Sequence, residues 1–442
     1  MSAAGGGGGG CEAQIHRNSP GSPSRESSFA LLGLHHNPGL GCCRCCSPRV
    51  PSPLCKPGAG GRQQRPAREE EEEEEGRRKS MPAAGQSERG TAAPWPGRPP
   101  PGRPLLRWDE VPDDFVECFI LSGYRRLHCT AQECLASVLQ PTNETLNFWT
   151  HFIPLLLFAG RFCRLLLLRG AGGLPAHHPL LLPLWCYASG VLLTLGMSCT
   201  AHVFSCLSLR LRAAFFYLDY ASISYYGFAS TVAYYYYLLP SLRLLEPQAL
   251  GALLQRTLGW QVDCGAPLAL YSTLVLPVAF ALALVCTVAC CKSRTDWCTY
   301  PFAVRTFVFA MPLSMACPIM LESLLFDLRA RNPTIFTYFY RRYFWLLVAA
   351  FFNVSKLPER IQPGLFDIIG HSHQLFHIFT FLSIHDQLFY VEEGLQLFLH
   401  TAPPATAMPT FLGTVGYMLL LVLCLALVLR RFLSIPELCK ND

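Results

Sequence analysis

The chain has few charged residues for its length. Asp, Glu, Lys and Arg together make up 15% of its 442 residues, whereas an ordinary soluble domain carries about 25%. In their place, 51% of the residues are hydrophobic. The length would suit two or three soluble domains, but this composition excludes them. The sequence predicts an integral membrane protein.

Three further signals are missing. The net charge of +6 is small for this length, so nothing indicates a nucleic-acid partner. Met1 leads into a glycine run at 5–10, so we expect no signal peptide and expect the first membrane helix to direct insertion. The 21 cysteines do not suggest a disulfide framework, because several, such as Cys286, Cys290 and Cys291, lie in apolar runs and behave there as small apolar side chains.

The chain changes character near residue 106. Residues 1–106 carry glycine-rich and proline-rich stretches and a glutamate run at 69–75, which together predict a disordered, low-complexity cytosolic tail. Met81 would serve as an alternative start and would discard most of this tail. The other predicted regions are a juxtamembrane amphipathic region at 107–147, a transmembrane bundle at 148–430 and a short cytosolic tail at 431–442.

The juxtamembrane region contains a helix-start signal. Thr130 is followed three residues later by Glu133, which is the spacing of a capping box. Cys134, Leu135 and Leu139 continue at helical spacing. We interpret this segment as a short amphipathic helix that lies on the membrane surface.

Eight apolar segments follow, each near the ~20 residues that a helix needs to cross a bilayer. Soluble helices keep a polar face, and these segments mostly do not. We therefore predict an all-α, polytopic bundle of about eight transmembrane helices. Their predicted bounds are 148–168, 180–204, 214–239, 268–291, 302–326, 338–354, 372–391 and 411–430.

The distribution of Lys and Arg predicts the orientation. With a cytosolic amino terminus, the inner segments hold slightly more of these residues than the outer ones, so both termini are predicted in the cytosol. The inner set is Arg125, Arg126, Arg210, Arg212, Lys292, Arg294, Lys356, Arg360, Arg430 and Arg431. The outer set is Arg161, Arg164, Arg169, Arg243, Arg256, Arg329 and Arg331, with Arg341 and Arg342 at the edge of the sixth span.

Ionisable side chains inside the spans are functional candidates, because they are costly in a bilayer. The second span has Ser198 four residues before His202, the third begins with Asp219, and the seventh begins with His373 four residues before His377. A spacing of four places two side chains on one helix face. His373 and His377 can therefore share one metal ion.

Helix direction places these candidates in one leaflet. Alternate helices run in opposite directions, so the end of the second span and the starts of the third and seventh lie on the same side of the membrane. His202, His373 and His377 with a water would form a catalytic-type zinc site with one open position. Asp219 would hold or deprotonate that water. The alternative, that these are hydrogen-bonded polar groups between helices, stays open.

Weaker candidates lie elsewhere in the spans. Glu322 in the fifth span could pair within the bundle or bind a polar group of a ligand. Tyr225, Tyr226 and the tyrosines at 234–237 could line a ligand pocket, although anchoring at the membrane interface explains the last four as well. His151 near the start of the first span is the kind of residue that is more often structural.

Together, these segments resemble the progestin and adiponectin receptor family. The resemblance covers about 105–430 and rests on several motifs in a fixed order. The motifs are Glu144 to His151, Ser198-x3-His202, Asp219, Pro358-Glu359-Arg360 with Pro363-Gly364 and Asp367, and Ser372 to His377. The eighth helix and the sequence Gly370-His371-Ser372-His373 are similar to the membrane progestin receptor branch of that family.

The resemblance implies a helical bundle with a cytosolic amino terminus and a zinc ion bound by His202, His373 and His377. It also implies two activities. The first is binding of progestogens and neurosteroids, with signalling through heterotrimeric G proteins. The second is lipid hydrolysis at a site similar to that of ceramidases, in which Asp219 and Ser198 would be catalytic.

We therefore expect a steroid receptor of the plasma membrane, with the endoplasmic reticulum as a second location. Its expected partners are a steroid, a heterotrimeric G protein and the lipid bilayer. Two alternatives remain. One is a zinc-dependent, ceramidase-like lipid amidase, and the other is a non-enzymatic scaffold in which zinc only joins the helices.

Overall fold

The computed structural model describes residues 105–168, 173–295, 301–401 and 408–434. The predicted tails at 1–106 and 431–442 therefore lie almost entirely outside the described residues, and the prediction of a disordered amino-terminal segment stays a prediction.

The described part of the chain is all-α, as predicted, and contains no β-strand. Several helices end in short 3₁₀ or π turns. The α-helices are α1 (Ala131–Ala136), α2 (Thr145–Phe162), α3 (Leu182–Phe204), α4 (Leu209–Tyr237), α5 (Pro247–Leu258), α6 (Gly265–Thr295), α7 (Pro301–Ala310), α8 (Cys317–Leu325), α9 (Leu328–Arg331), α10 (Pro333–Ser355), α11 (Ser372–Thr401) and α12 (Tyr417–Leu433).

Five helical stretches of the described chain are long and apolar enough to cross a membrane. They are Thr145–Leu167, Pro179–Phe204, Gly265–Arg294, Pro301–Leu325 and Leu412–Leu433. The other three predicted spans are also long helices, since α4 has 29 residues, α10 has 23 and α11 has 30. Each of these three carries several polar or ionisable side chains, which lower its hydropathy.

The span predicted at 302–326 is interrupted. Helix α7 ends at Ala310, a 3₁₀ segment follows over Met311–Ala316, and α8 begins at Cys317. Pro312 and Pro318 are the second residues of the last two segments. Proline lacks the N–H group that a continuous helix needs at that point, so the break follows from the sequence.

Three helix boundaries differ from their predicted positions, two of them at capping residues. Helix α4 begins at Leu209, earlier than the predicted 214, because the Ser208 hydroxyl accepts the N–H of Leu211. Helix α10 begins at Pro333, because the Asn332 side chain accepts the N–H of Ile335. Helix α11 continues past the predicted end at 391.

The predicted capping box at Thr130 is confirmed. The Thr130 hydroxyl accepts the Glu133 N–H, and the Glu133 carboxylate accepts the Thr130 N–H at 2.9 Å. The helix that follows is short, six residues in α1 and then a 3₁₀ turn over Ser137–Leu139. Its two faces differ, because Cys134 is buried whereas Leu135 and Leu139 are 56% and 80% exposed.

Helices α3 and α4 approach closely. A Cβ added at Gly190 of α3 would lie 2.9 Å from the Cβ of Ala229 and 3.1 Å from the Cα of Tyr226 on α4. A larger residue at this position would force the two helices apart. Helix α11 packs along α10 and also contacts α2 and α4. The core therefore joins the helices that carry the candidate residues.

The cysteines of the described chain are free thiols. Cys286, Cys290 and Cys291 are fully buried on α6. This arrangement agrees with the predicted use of cysteine as a small apolar side chain.

Candidate metal centre and cavity

Three histidines converge between α3 and α11. His202 lies in the last turn of α3, and His373 and His377 lie in the first turns of α11. One ring nitrogen of each lies within 4.8 Å of those of the other two, and the Nε2 atoms of His202 and His373 are 3.3 Å apart. His202 and His377 are buried, and His373 is partly buried. The structure thus brings together the histidines predicted to share a leaflet, and the group could hold a metal ion.

A buried carboxylate orients the first histidine. Oε2 of Glu144 lies 2.7 Å from Nδ1 of His202 and accepts a hydrogen bond from Nδ2 of Asn147 at 2.8 Å. A carboxylate on Nδ1 favours the proton there and leaves the Nε2 lone pair for a ligand, the usual arrangement of a metal-binding histidine. Glu144 belongs to the sequence motif that enters the first span, but the motif alone does not indicate its role. Its contact with a residue 58 positions away could not be read from spacing.

The third histidine is held in the same way. Nδ1 of His377 lies 3.0 Å from Oγ1 of Thr150 and 3.1 Å from the backbone oxygen of Asn147. Its ring also stacks on His151, with centroids 3.7 Å apart. These contacts use Nδ1 and leave Nε2 toward the other two histidines.

The two remaining candidates, Asp219 and Ser198, both line the same cavity as the histidines. Asp219 lies on α4, and its Oδ1 atom is buried without a hydrogen-bond partner among the described residues. The Ser198 hydroxyl lies 2.7 Å from Nδ1 of His151. An unpaired buried carboxylate oxygen is costly, so Asp219 fits a site completed by a water or a ligand, whereas Ser198 positions His151.

A buried arginine contacts the carboxyl-terminal end of α3. Nη1 of Arg125 donates to the backbone oxygen of Val203 at 2.7 Å, and Nη2 donates to that of His202 at 2.6 Å. The same guanidinium reaches the hydroxyls of Ser137 and Ser205, each at 2.9 Å. The last carbonyls of a helix have no partner within the helix. Arg125 satisfies two of them and fixes the turn that carries His202.

A cavity of about 330 Å³ extends from the histidines between α3, α4, α10 and α11. This volume is within the range of small-molecule sites. Its middle is lined by apolar side chains, including Leu195, Ile223, Phe309, Leu346 and Ile384.

Polar groups lie at both ends of the cavity, and the hydroxyl-bearing residues Thr194, Thr380 and Ser383 also line it. One end has the histidines with Asp219, and the other has Tyr226, Tyr234 and Arg342. Of the tyrosines predicted to line a pocket, Tyr226 and Tyr234 do so, whereas Tyr236 and Tyr237 are buried in the bundle core away from the lining.

Glu322 belongs to a different contact. It is fully buried, accepts the N–H of Leu244 at 2.8 Å and forms an ion pair with Arg331. It does not line the cavity. Of its two predicted roles, the structure therefore supports pairing within the bundle.

The residues present fit a metal ion. Three imidazole nitrogens converge, a carboxylate and a carbonyl orient two of the rings, and Asp219, whose Oδ1 has no partner among the described residues, lines the same cavity. Imidazole ligands suit zinc and several other transition metals, so this geometry does not by itself choose the ion.

Comparisons with known proteins place the chain in a family. Residues 139–388 match the family described as Haemolysin-III related. The chain is 34% identical to human membrane progestin receptor delta over 355 residues, which cover 76% of this chain and 93% of that protein. It is 33% identical to mouse membrane progestin receptor gamma over 288 residues, covering 64% and 79%. It is 27% identical to human membrane progestin receptor alpha over 337 residues, covering 74% and 88%. The chain therefore belongs to the Haemolysin-III related family, in the branch of the membrane progestin receptors.

Proposed function

We propose that this protein is a membrane steroid receptor that binds progestogens or neurosteroids in the cavity and signals through heterotrimeric G proteins. The observation that carries the proposal is the cavity itself, an apolar space of about 330 Å³ with polar groups at both ends. A rigid apolar ligand with oxygens at its ends is complementary to such a space. The names of the relatives support a progestin as the ligand class.

The proposed topology has eight transmembrane helices, with α4, α10 and α11 added to the five apolar stretches, and a cytosolic amino terminus. Two features support the additional three. Each of these three helices is long enough to span a bilayer, which needs ~20 residues. Their ionisable residues Asp219, Arg342 and His377 lie inside the bundle and line the cavity. Polar residues so placed are tolerated in a membrane. The proposed site of action is the plasma membrane.

The stretch from Trp108 to Phe119 resembles the epsilon type of membrane progestin receptor. We therefore place the chain nearest to that type within the branch. This segment includes Phe115, which is buried against Tyr124 beneath the cytosolic end of α3.

The topology predicts that neither glycosylation motif of the bundle carries a glycan. Asn143-Glu144-Thr145 and Asn353-Val354-Ser355 match the acceptor pattern, but both lie at cytosolic helix ends in this topology. Asn143 is in addition only 4% exposed. We expect the mass of the purified protein to be unchanged by glycosidase. A glycosidase-sensitive shift that Asn143→Gln or Asn353→Gln abolishes would contradict the cytosolic amino terminus.

We propose that the metal of the triad is zinc, held by His202, His373 and His377. Zinc in such a site would polarise a carbonyl group and lower the pKa of a bound water to about 7. In a receptor, the same ion would fix the cytosolic ends of α3 and α11 relative to each other.

A cavity-filling variant tests the receptor proposal. Ser230 lines the cavity on α4, and Ser230→Phe would place a ring in the space that a steroid needs. Because the ring and the ligand cannot occupy the same volume, we expect progesterone to bind purified protein roughly tenfold to hundredfold more weakly. The measurement is direct equilibrium binding of radiolabelled progesterone to protein in detergent or nanodiscs.

Ser272→Phe is the matched control for this experiment. Ser272 is an exposed serine on α6 that does not line the cavity, so the same substitution there should leave progesterone binding unchanged. Equal binding by wild type and a folded Ser230→Phe variant would contradict the cavity as the steroid site.

The second candidate function is a zinc-dependent, ceramidase-like lipid amidase. The unpaired Oδ1 of Asp219 in the cavity with the histidines supports it, because a general base must have a free oxygen where a water can reach it. A scaffold in which zinc only joins helices would need neither this oxygen nor the cavity.

A further inference from the structure

A buried arginine lies at the end of the cavity opposite the histidines. Arg342 of α10 is 3% exposed and lines the cavity. Sequence analysis placed it at the edge of the sixth span, but α10 begins at Pro333, so this guanidinium lies inside the bundle.

The partners of Arg342 carry no negative charge. Its Nη1 donates to the hydroxyls of Tyr234 at 2.6 Å and of Tyr390 at 2.8 Å, while its Nε is buried without a partner. Among the described residues, no carboxylate lies within salt-bridge distance of it. The nearby carboxylate of Asp386 pairs with the exposed neighbour Arg341 instead, at 3.2 Å.

Tyrosine hydroxyls and rings stabilise this charge only in part. The guanidinium lies 5.9 Å from the ring centroid of Tyr234 and 5.7 Å from that of Tyr343, distances at which cation–π attraction acts. A buried cation without a counterion is nevertheless unfavourable. Arg342 can therefore bind an anion, and the described residues provide no anionic partner for it.

The other cations of the cavity differ in this respect. Arg294, Arg305 and Lys356 lie at the histidine end, where the lining also contains carboxylates. These carboxylates are Glu117, Glu144, Asp219 and Glu359. The excess positive charge is thus at the Arg342 end.

The two ends are far enough apart to hold one elongated ligand. Asp219 and Tyr234 both line the cavity and both lie on α4, and at 1.5 Å per residue they are about 22 Å apart along the helix. Apolar side chains, including Ile384 and Leu346, line the cavity between them.

We propose that Arg342, with the hydroxyls of Tyr234 and Tyr390, binds an anionic oxygen group on an amphipathic ligand whose apolar body fills the cavity. The group is a sulfate ester of a steroid or the carboxylate of a fatty acid. A guanidinium offers several donors to such a group and neutralises its charge, whereas a neutral ketone accepts a hydrogen bond and leaves the cation uncompensated. This inference rests on the proposed function and specifies the chemistry of its ligand.

The test compares charged and uncharged ligands on the full-length protein. Binding of pregnenolone sulfate, pregnenolone and oleate is measured on wild type, Arg342→Gln and the control Arg341→Gln, which removes an exposed guanidinium one residue away. We expect wild type to prefer the sulfate over pregnenolone by about tenfold or more. Arg342→Gln should weaken sulfate binding about tenfold to hundredfold, as expected for a lost charged hydrogen bond, and change pregnenolone binding less than about threefold.

Oleate distinguishes the two sources of the anion. If oleate competes with pregnenolone sulfate on wild type but not on Arg342→Gln, the site also accepts a lipid carboxylate. If oleate still competes on Arg342→Gln, the two ligands do not share the arginine as their anion site. Metal content of Arg342→Gln reports folding, since the histidines are at the other end. If that variant does not fold, Tyr390→Phe, which removes one hydroxyl donor, should still weaken sulfate binding more than pregnenolone binding.

Different results contradict the two proposals. If pregnenolone binds wild type at least as tightly as its sulfate, the arginine site is wrong and the receptor proposal stands. If neither steroid binds wild type, the receptor proposal is wrong. The proposal that Arg342 binds a steroid sulfate is then wrong as well.

Discussion

Replacing His373 and His377 together with alanine reduces the zinc content of the purified protein from about one ion per chain to near zero. The double substitution removes two of the three converging nitrogens, and one imidazole does not hold zinc against dialysis. Elemental analysis of monodisperse protein gives the stoichiometry. Zinc-free wild-type protein with an unchanged fold would contradict the metal site.

Two variants make this result specific. His385→Ala with His400→Ala removes two histidines from the same helix, α11, that do not line the cavity, and zinc should stay at about one per chain. Glu144→Gln leaves all three ligands but removes the carboxylate on Nδ1 of His202. Loss of such a partner costs about tenfold to hundredfold in metal affinity, so zinc should be lost at lower chelator concentrations than from wild type.

Asp219→Asn abolishes lipid hydrolysis, if the protein is an amidase, while zinc stays bound. The substitution keeps the size of the side chain but removes the base whose Oδ1 has no partner. General-base catalysis contributes roughly 10²–10⁴-fold in rate, which is the expected loss of ceramide turnover by purified protein. Zinc content should be near that of wild type, because three histidines supply the protein ligands.

The receptor proposal makes the opposite prediction for this variant. Progesterone binding and the cyclic-nucleotide response of cells expressing Asp219→Asn should persist, because neither needs an activated water. Both readouts should be taken on the same variant. Loss of signalling with zinc and progesterone binding intact would count against the receptor proposal and would indicate that hydrolysis is itself the signal.

Sequence predicted the parts of the site that depend on helix direction. His202 ends one helix and His373 begins another, so alternation of direction places them at one level of the bundle, and the structure has their Nε2 atoms 3.3 Å apart. Spacing within a helix also predicted that His373 and His377 share a face.

Other features depend on contacts between helices, which spacing within one helix does not report. The Glu144–His202 pair, the Arg125 contacts and the assignment of Asp386 to Arg341 rather than Arg342 all join residues far apart in sequence. They are set by helix tilt, rotation and side-chain rotamers. The two prolines of the interrupted fifth span were visible in the sequence, but a hydropathy pattern does not register them.

The separation of His202 from the two α11 histidines along the chain has a consequence for biosynthesis. His202 leaves the ribosome 171 residues before His373, which is roughly 10–35 seconds at ordinary rates of synthesis. During that interval, Arg125 can already hold the turn that carries His202, because both are in the first half of the chain. Under the proposed metal site, the nascent protein would thus present one imidazole, and the other two would join it only after α11 has entered the bundle. Metal loading would therefore be a late step that follows assembly of the helices.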